Sequence, residues 1–416
     1  MVDQRRFDNQ PSDFLDAKAA AKLLGVEVRT LYAYASRGLV RSLRGGRGLK
    51  RMYAKADLER LKLRSSARAG HGAVAAGALR WGEPVLDSAI TEITPRGPAY
   101  RGRLATELAA SGVRFENVAE LLWSGYLPTE PIAWPRPALP LSHLARLIPL
   151  GAAPLDVMSV LVPLAARDDP SRQDGRPDTI IAHGRQLVAL LAAALGWTVD
   201  AAHVTRALTA PSVAAVAARA LGLDDEAAPA IETTLIVLAD HELNASSFAA
   251  RVAASTDADP YACFAAALAT LSGRRHGSAA EAIARFADEL GSPERAIRAA
   301  RAFREAPAGF GHPLYPAGDP RAAPLLDLAR GSANKRARTL VALADAAAKR
   351  ELHPSVDVGL AALVAALGLA PAAGSGLFAV ARSAGWLAHV LEQRTQSYVL
   401  RPRARYVGER TTLSLT

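Results

Sequence analysis

Apolar residues recur at helical spacing along most of this chain, and this periodicity constrains the fold more than any other feature. It runs through Leu155–Ala165, Ile180–Leu195, residues 203–222 and residues 228–239. Alanine and leucine are abundant and aromatic residues make up only 6% of the chain, a composition typical of packed helices rather than sheets. A chain of 416 residues can form two or three domains, each with its own core. We therefore predict an all-α fold.

The sequence also bears on the cellular compartment. The single cysteine, Cys263, excludes an internal disulfide framework and a cysteine-based zinc site. The polar start, Met1–Asp13, does not have the character of a signal peptide. The longest uncharged run, Val358–Ala381, contains four glycines and a proline and predicts two buried helices better than a membrane span. We expect a cytoplasmic protein without a membrane partner.

The net charge of +10 is concentrated at one end of the chain. Residues 1–70 contain 16 Lys and Arg against 7 Asp and Glu, whereas the remaining residues contain 34 against 33. An excess of +9 in so short a segment indicates a phosphate-bearing partner for that segment alone.

The basic segment has the layout of a helix-turn-helix. Ala17–Leu24 predicts a short helix that Gly25 ends, and Val28–Ser36 predicts a second helix. Glycines punctuate the arginine-rich loop that follows, which would form a wing along phosphates. The candidate DNA-binding residues are Arg29, Thr30, Tyr32, Arg44 and Arg47. The segment resembles the winged helix-turn-helix of MerR-like regulators and excisionases. The alternative is a basic helical appendage that docks on the main body or on another subunit.

Familiar catalytic signatures are absent from the rest of the sequence. It has no phosphate-binding Gly-x-x-x-x-Gly-Lys loop, no dinucleotide fingerprint after a strand, no His-Glu-x-x-His and no Gly-x-Ser-x-Gly. Any chemistry must therefore depend on histidines, carboxylates and arginines, and we expect no metal and no cofactor.

Two histidine segments interrupt the apolar pattern. Asp240–Ser246 places a dense polar cluster, including His241, at the end of a strongly apolar helix, where unpartnered polar groups are costly. His276 precedes Ser278–Glu281, which has the pattern of a capping box. The field of a helix N-terminus favours a neutral imidazole at His276, which can donate a hydrogen bond to a developing enolate.

A third segment, Gly309–Arg321, combines His312 with an arginine at a predicted helix start. The two glycines before His312 permit unusual backbone angles and a close approach to a ligand. Asp319 and Pro320 predict the helix start, so the Arg321 guanidinium would lie where backbone N–H groups already favour an anion. By itself this segment is equally compatible with an ordinary surface loop.

Three further charged residues lie near the C-terminus. Asp357 falls in the first turn of an apolar helix, where a capping role is the simpler interpretation. Arg382 is the one charge in an apolar helical run, and a buried arginine requires an anion. Arg401 lies in the basic Arg401-Pro402-Arg403.

The order of these motifs resembles that of citrate synthases, from about residue 82 to the C-terminus. The matching pieces are Tyr100-Arg101-Gly102, Asp240–Ser246, His276-Gly277, Gly309–His312 with Asp319–Arg321, Val356-Asp357, Leu377–Arg382 and Arg401–Arg403. Each piece alone is weak, but together and in order they are specific.

The resemblance implies condensation of acetyl-CoA, a co-substrate rather than a cofactor, with oxaloacetate, followed by thioester hydrolysis. Asp357 would take a proton from the carbon beside the thioester carbonyl, His276 would hydrogen-bond the thioester oxygen, and His312 would protonate the ketone. The carried-over oxaloacetate-binding residues are His241, Arg321, Arg382 and, from a second subunit, Arg401.

The resemblance also implies a homodimer with large and small helical domains, the smaller one closing over oxaloacetate. We predict a winged helix-turn-helix at 1–66, a linker at 67–81, a large domain at 82–276 and 373–416, and a small domain at 277–372.

Two alternatives to a citrate synthase remain open. Departures around the acyl-CoA site, at Arg274-Arg275, at Pro313–Pro316 and at Leu238, leave open a 2-methylcitrate synthase that uses propanoyl-CoA. A DNA-binding regulator with a metabolite-sensing body is the other, although a sensor would not need Asp357.

Overall fold

The computed structural model describes most of the chain, and the fold is taken from those parts alone. The described residues are 14–36, 40, 42–44, 51–55, 57–58, 86–135, 137, 146–198, 201–274 and 276–402. They belong to two compact units, one of residues 1–87 with 401–416 and the other of residues 88–400. The predicted linker at 67–81 and the candidate DNA-binding Arg47 lie outside the described residues.

The described residues of the first unit form two helices and a small antiparallel sheet. Its elements are β1 (Phe14–Asp16), α1 (Ala17–Leu24), α2 (Val28–Ser36), β2 (Ser42–Arg44) and β3 (Arg51–Ala54). The strand order is β1-β3-β2, with Phe14 opposite Ala54 and Ser42 opposite Tyr53.

Local signals at both ends explain the first helix of this unit. The Asp16 carboxylate accepts a hydrogen bond from the backbone N–H of Ala19 at 2.8 Å, which caps the N-terminus of α1. Gly25 ends the helix with φ of 65°, a left-handed conformation that glycine adopts without strain. The predicted bounds of α1 and α2 are therefore confirmed.

The second unit is mostly helical. Its helices are α3 (Ala105–Ala110), α4 (Phe115–Ser124), α5 (Pro154–Arg167), α6 (Pro177–Ala194), α7 (Ala201–Ala207), α8 (Val213–Ala220), α9 (Ala228–Leu238), α10 (Ala245–Ala254), α11 (Pro260–Leu271), α12 (Ala279–Leu290), α13 (Pro293–Ala302), α14 (Ala322–Ala329), α15 (Lys335–Ala348), α16 (Val356–Ala366) and α17 (Ala372–Arg394). Short 3₁₀ turns cover Leu195–Thr198 and Asp225–Ala227.

A three-stranded antiparallel sheet precedes these helices. Its strands are β4 (Thr91–Thr94), β5 (Gly97–Tyr100) and β6 (Arg103–Leu104), in the order β4-β5-β6. The predicted helical class is confirmed, and each unit also has one small sheet among its described residues.

Helix α17 forms the centre of the second unit. It packs against α4, α6, α9, α10 and α11, and nearly all of its side chains are buried. Gly184 on α6 permits one of these contacts, since a Cβ there would lie 2.1 Å from Leu387. The site residues described below lie on α17 or on the ends and loops of neighbouring helices.

One segment, Pro177–Trp197, is long and apolar enough to cross a membrane by length and composition alone. It belongs mainly to α6, and most of its residues are buried inside the second unit. Such burial is typical of the core helix of a folded domain.

Candidate active site

Arg382 lies on α17 and is only 1% exposed. Its Nε donates a hydrogen bond to the carbonyl oxygen of Leu238 at 2.8 Å, and its Cζ lies 4.7 Å from the Phe378 ring centroid. Burial lowers the pKa of this guanidinium to about 10; Asp240 opposes that shift and the positive charge of Arg321 adds to it. A buried cation with so little compensation favours binding of an anion.

Arg321 provides a second buried guanidinium, held by Asp319. Its Nε and Nη2 donate to the two oxygens of Asp319 at 2.9 and 2.8 Å, and its residue exposure is 3%. Asp319 Oδ2 also accepts from the backbone N–H of Val356 at 3.0 Å, at the first residue of α16. Arg321 is the residue just before α14, so its predicted place at a helix N-terminus is confirmed.

His241 contacts the loop that carries His312 and Tyr315. The His241 and His312 ring centroids are 5.5 Å apart, and His241 Nε2 lies 2.9 Å from the hydroxyl of Tyr315. Burial lowers the pKa of His241 well below its usual value, and Arg321, Arg382 and His312 lower it further. His241 is therefore a neutral imidazole within electrostatic reach of both guanidiniums.

A backbone hydrogen bond within its own loop determines which ring nitrogen of His312 carries the proton. The backbone N–H of Leu314 donates to His312 Nδ1 at 3.2 Å, so Nδ1 is an acceptor and the ring proton lies on Nε2. Burial lowers the pKa of His312, Asp319 raises it and Arg321 lowers it, with a net decrease. The loop turns sharply before this residue, where Gly309 and Gly311 have φ of 88° and 71°.

His276 is oriented by Ser246. The backbone N–H of Ser246 donates to His276 Nε2 at 3.3 Å, and Ser246 Oγ lies 2.9 Å from the same nitrogen. Because a backbone N–H can only donate, Nε2 is the acceptor and Nδ1 carries the proton. Trp386 Nε1 donates to Ser246 Oγ at 3.1 Å, which fixes the hydroxyl from α17.

The neutral state predicted for His276 has a different cause from the one expected. Burial, followed by the charge of Arg382, lowers its pKa to about 4. The predicted capping box at Ser278–Glu281 is wrong: Ser278 makes no side-chain capping hydrogen bond, and the Glu281 carboxylate accepts from Ser375 Oγ at 2.9 Å instead.

Asp357 lies in the first turn of α16, as predicted, and accepts a hydrogen bond from Ser355 Oγ at 3.2 Å. Desolvation by the surrounding protein raises the pKa of its carboxyl group, and the positive charges of Arg321 and Arg382 oppose that shift. A carboxylate with a raised pKa is a better proton acceptor than a solvated one. In this respect Asp357 differs from an ordinary capping carboxylate.

A buried polar network supports the His241 segment. Asp240 accepts from Thr91 Oγ1 at 2.6 Å, and its Oδ1 lies 3.3 Å from His389 Nε2. Burial alone would raise the pKa of Asp240, but His389 and Arg382 hold it below its usual value. Gly385 makes room for this carboxylate, because a Cβ there would lie 2.3 Å from Asp240 Oδ1.

The sequence did not single out two participants, Tyr315 and His389. Tyr315 is 3% exposed, and its ring lies 5.1 Å from the His312 ring and 5.7 Å from Arg321 Cζ. His389 is fully buried on α17, one helical turn beyond Gly385. A histidine in an apolar helix was the available signal for His389; Tyr315 had only its place in an unusual loop.

The other predicted residues are not part of this constellation. Arg401 is exposed and belongs to the unit of residues 1–87 and 401–416. Its binding of oxaloacetate from a second subunit stays a prediction. On α2, Arg29 is exposed, Tyr32 is 49% exposed and Thr30 is half-buried. Arg44 ends β2.

Within one mostly helical unit, the structure thus assembles three neutral histidines, a carboxylate of raised pKa and two buried arginines. This combination is typical of an enzyme site for an anionic substrate and proton-transfer chemistry. The family model of the citrate synthase C-terminal domain matches residues 78–403, and the chain belongs to the citrate synthase family, a family of acyltransferases. A second family model, that of MerR helix-turn-helix regulatory proteins, matches residues 16–72.

Individual relatives are of two kinds. The chain is 31% identical to the 2-methylcitrate synthase of Mycobacterium tuberculosis over 359 residues, which cover 79% of this chain and 89% of the relative. It is 27% identical to the citrate synthase of Mycolicibacterium smegmatis, covering 79% and 94%. Among solved structures, the citrate synthase of Thermoplasma acidophilum in a ternary complex with carboxymethyl coenzyme A and oxaloacetate aligns with a TM-score of 0.67 at 26% identity, covering 82% of this chain and 98% of that one.

Proposed function

We propose that this protein condenses acetyl-CoA with oxaloacetate and hydrolyses the resulting thioester to citrate and CoA. The observation that carries the proposal is that Asp319 accepts hydrogen bonds from Arg321 and from the backbone N–H of Val356, the residue before Asp357. The charges of Arg321 and Arg382 also oppose the rise in the pKa of Asp357 and lower the pKa of His241. These relationships support a single anion site next to the carboxylate that would remove a proton. The citrate synthase reaction needs both features, because it uses an anionic substrate, oxaloacetate, and removes a proton from acetyl-CoA.

Oxaloacetate presents two carboxylates and a ketone to this site. Arg321 and Arg382 would bind the carboxylates, and each is already held, by Asp319 and by the Leu238 carbonyl, so little ordering is needed on binding. His312 would donate its Nε2 proton to the ketone oxygen.

The condensation begins at the methyl group of acetyl-CoA. Asp357 would accept one methyl proton while His276 Nδ1–H donates a hydrogen bond to the thioester oxygen, giving an enol or enolate. The enol carbon then attacks the ketone carbon of oxaloacetate, a C–C bond forms, and the ketone oxygen receives the proton from His312. Water then attacks the thioester carbonyl of the product and gives one proton back to His312, while the departing CoA sulfur takes the proton held by Asp357. This step releases citrate and the CoA thiol and restores both side chains.

Propanoyl-CoA is the second candidate acyl donor, because relatives at similar identity include 2-methylcitrate synthases. The test is thiol release by the purified full-length protein with oxaloacetate and either acetyl-CoA or propanoyl-CoA. A higher kcat/KM for acetyl-CoA supports citrate synthesis, and a higher kcat/KM for propanoyl-CoA supports 2-methylcitrate synthesis. No release from either by folded protein would contradict both.

We also propose that the first unit binds duplex DNA and that the protein is a homodimer. The short turn between α1 and α2, the exposed Arg29 and Tyr32 on α2 and the local excess of basic residues support DNA binding. A dimer would present two such units. Light scattering tests the dimer, and activity of Arg401→Ala tests the predicted contribution of a second subunit.

DNA binding is tested on the full-length protein across a range of salt concentrations. A double variant, Arg29→Ala with Tyr32→Ala, should lose salt-sensitive duplex binding while retaining thiol release. Addition of oxaloacetate or acyl-CoA during titration tests whether the second unit senses metabolites. If neither the wild type nor the variant binds DNA at low salt, the first unit is better interpreted as a docking element.

A further inference from the structure

Tyr315 lies among the groups assigned to oxaloacetate, although nothing in the proposed chemistry uses it. Its hydroxyl is 2.9 Å from His241 Nε2, and its ring contacts His312 and lies beneath the Arg321 guanidinium. At 3% exposure it is enclosed by the site rather than by solvent.

The backbone holds this tyrosine in place. Its N–H donates to the carbonyl oxygen of His312 at 2.9 Å, and its own carbonyl accepts from the N–H of Gly318 at 3.0 Å. Gly318 has φ of 112°, which closes the turn that leads to Asp319. A hydroxyl fixed in this way is preorganised for binding, since little conformational freedom remains to be lost.

The Tyr315–His241 hydrogen bond can run in two directions. Burial raises the pKa of the Tyr315 phenol, so it keeps its proton, and His241 is neutral because burial lowers its pKa. The Tyr315 hydroxyl lies 2.9 Å from His241 Nε2. Either the phenol donates to Nε2 and the ring proton lies on Nδ1, or Nε2–H donates to the phenol oxygen.

A carboxylate selects between these two directions because it only accepts hydrogen bonds. A phenol that donates to His241 Nε2 has no proton left for a carboxylate placed beside it. A phenol oxygen has one proton and two lone pairs, so it can accept from Nε2–H and donate onward at the same time. Donation from Tyr315 to a carboxylate therefore requires the His241 ring proton to be on Nε2.

Resting on the proposed function, we propose that Tyr315 is a direct ligand of an oxaloacetate carboxylate and that His241 is the Nε2–H tautomer in this complex. His241 Nε2–H then donates to the Tyr315 oxygen, and the Tyr315 hydroxyl donates to the carboxylate held by Arg321.

The test compares Tyr315→Phe with Tyr261→Phe in the full-length protein. Tyr261 is also buried and its hydroxyl donates to Asp169 at 2.7 Å, outside the proposed site, so it is a matched control. Loss of a hydrogen bond to a charged group should weaken oxaloacetate binding roughly tenfold to hundredfold in Tyr315→Phe, measured by calorimetry without acyl-CoA. The KM for acyl-CoA should stay unchanged, and Tyr261→Phe should bind oxaloacetate as the wild type does.

Malate distinguishes the carboxylate from the ketone as the partner of Tyr315, because it has the same carboxylates but a hydroxyl in place of the ketone. The same loss for malate and oxaloacetate supports the proposal, whereas a loss confined to oxaloacetate would place Tyr315 at the ketone and overturn it. Unchanged or tighter oxaloacetate binding by Tyr315→Phe would also overturn it.

A second measurement does not depend on folding of the phenylalanine variant. In wild-type protein labelled with ¹⁵N-histidine, the His241 signal, identified by its loss in His241→Asn, should be that of the Nε2–H tautomer when oxaloacetate is bound. An Nδ1–H tautomer in the complex contradicts the proposal. Absence of thiol release by a wild type that binds oxaloacetate would instead contradict the proposed function, so the two failures are distinguishable.

Discussion

Asp319 joins the Arg321 guanidinium to the start of the helix that carries Asp357. One carboxylate oxygen, Oδ2, accepts both from Arg321 Nη2 at 2.8 Å and from the backbone N–H of Val356 at 3.0 Å. The proposed carboxylate-binding group and the proposed base are thus positioned by the same side chain. Movement of one would be transmitted to the other.

Replacing Asp319 should be much more damaging than replacing a surface partner of arginine. Asp319→Asn leaves the buried Arg321 without its counter-ion, which should lower the free energy of unfolding by about 3–5 kcal/mol. Asp345→Asn is the matched control, because it breaks an Arg330 ion pair whose side chains are 46% and 47% exposed, and should cost about 0–1 kcal/mol. Denaturant unfolding of both variants checks this, and equal losses would contradict it.

Asp357→Asn should abolish turnover without affecting the binding of oxaloacetate. The amide keeps the shape of the side chain but cannot accept the methyl proton, so kcat should fall by about 10²–10⁴. Because the pKa of Asp357 is raised, the wild-type rate should fall on acidification at a pH above the usual range of aspartate. Steady-state kinetics and calorimetry are the measurements; a large loss of oxaloacetate affinity would assign Asp357 to binding instead.

Stability should depend on pH through His276. Its pKa is about 4 when folded, against 6.5 ordinarily, so between these values the unfolded chain binds the proton more readily. Folding stability should therefore decrease as the pH falls through this window, by up to about 3 kcal/mol for this group. His276→Gln should have a shallower loss of unfolding free energy than the wild type between pH 6.5 and 4. Parallel curves for the two proteins would be inconsistent with a buried neutral imidazole.

Two glycines of helix α17 should respond oppositely to alanine. At Gly385 the new Cβ would lie 2.3 Å from Asp240 Oδ1 and 2.6 Å from the carbonyl of Ala239, so the His241 segment must move. We expect a loss of about 1–3 kcal/mol or more and weaker oxaloacetate binding. At Gly374 the nearest atom would be 3.5 Å away, and alanine should be neutral or stabilising by up to about 1 kcal/mol. Thermal unfolding and calorimetry compare the two, and a tolerated Gly385→Ala would contradict the argument.

The sequence was informative where the signal is local. Gly25 ends α1, Asp357 lies in the first turn of α16, and Arg382 is buried in an apolar helix, each as predicted. These features depend on residues within one or two helical turns of each other. Helical periodicity likewise predicted the mostly helical class.

Contacts between residues far apart in the sequence could not be predicted from local patterns. The Tyr315 hydroxyl meets His241 across 74 residues, and the Glu281 carboxylate is occupied by Ser375 across 94 residues. The second contact explains why the capping-box pattern failed: a tertiary partner took the carboxylate that the local motif requires. Such partners are set by helix packing, which a single sequence does not specify.

The two buried guanidiniums of Arg321 and Arg382 have a consequence for the free energy of unfolding of the protein. Each disfavours the other while the anion is missing, and a bound dianion relieves that repulsion. A ligand that binds only the folded state adds stability that grows with the logarithm of its concentration. The supply of oxaloacetate should therefore influence how much of this protein persists as well as how fast it works.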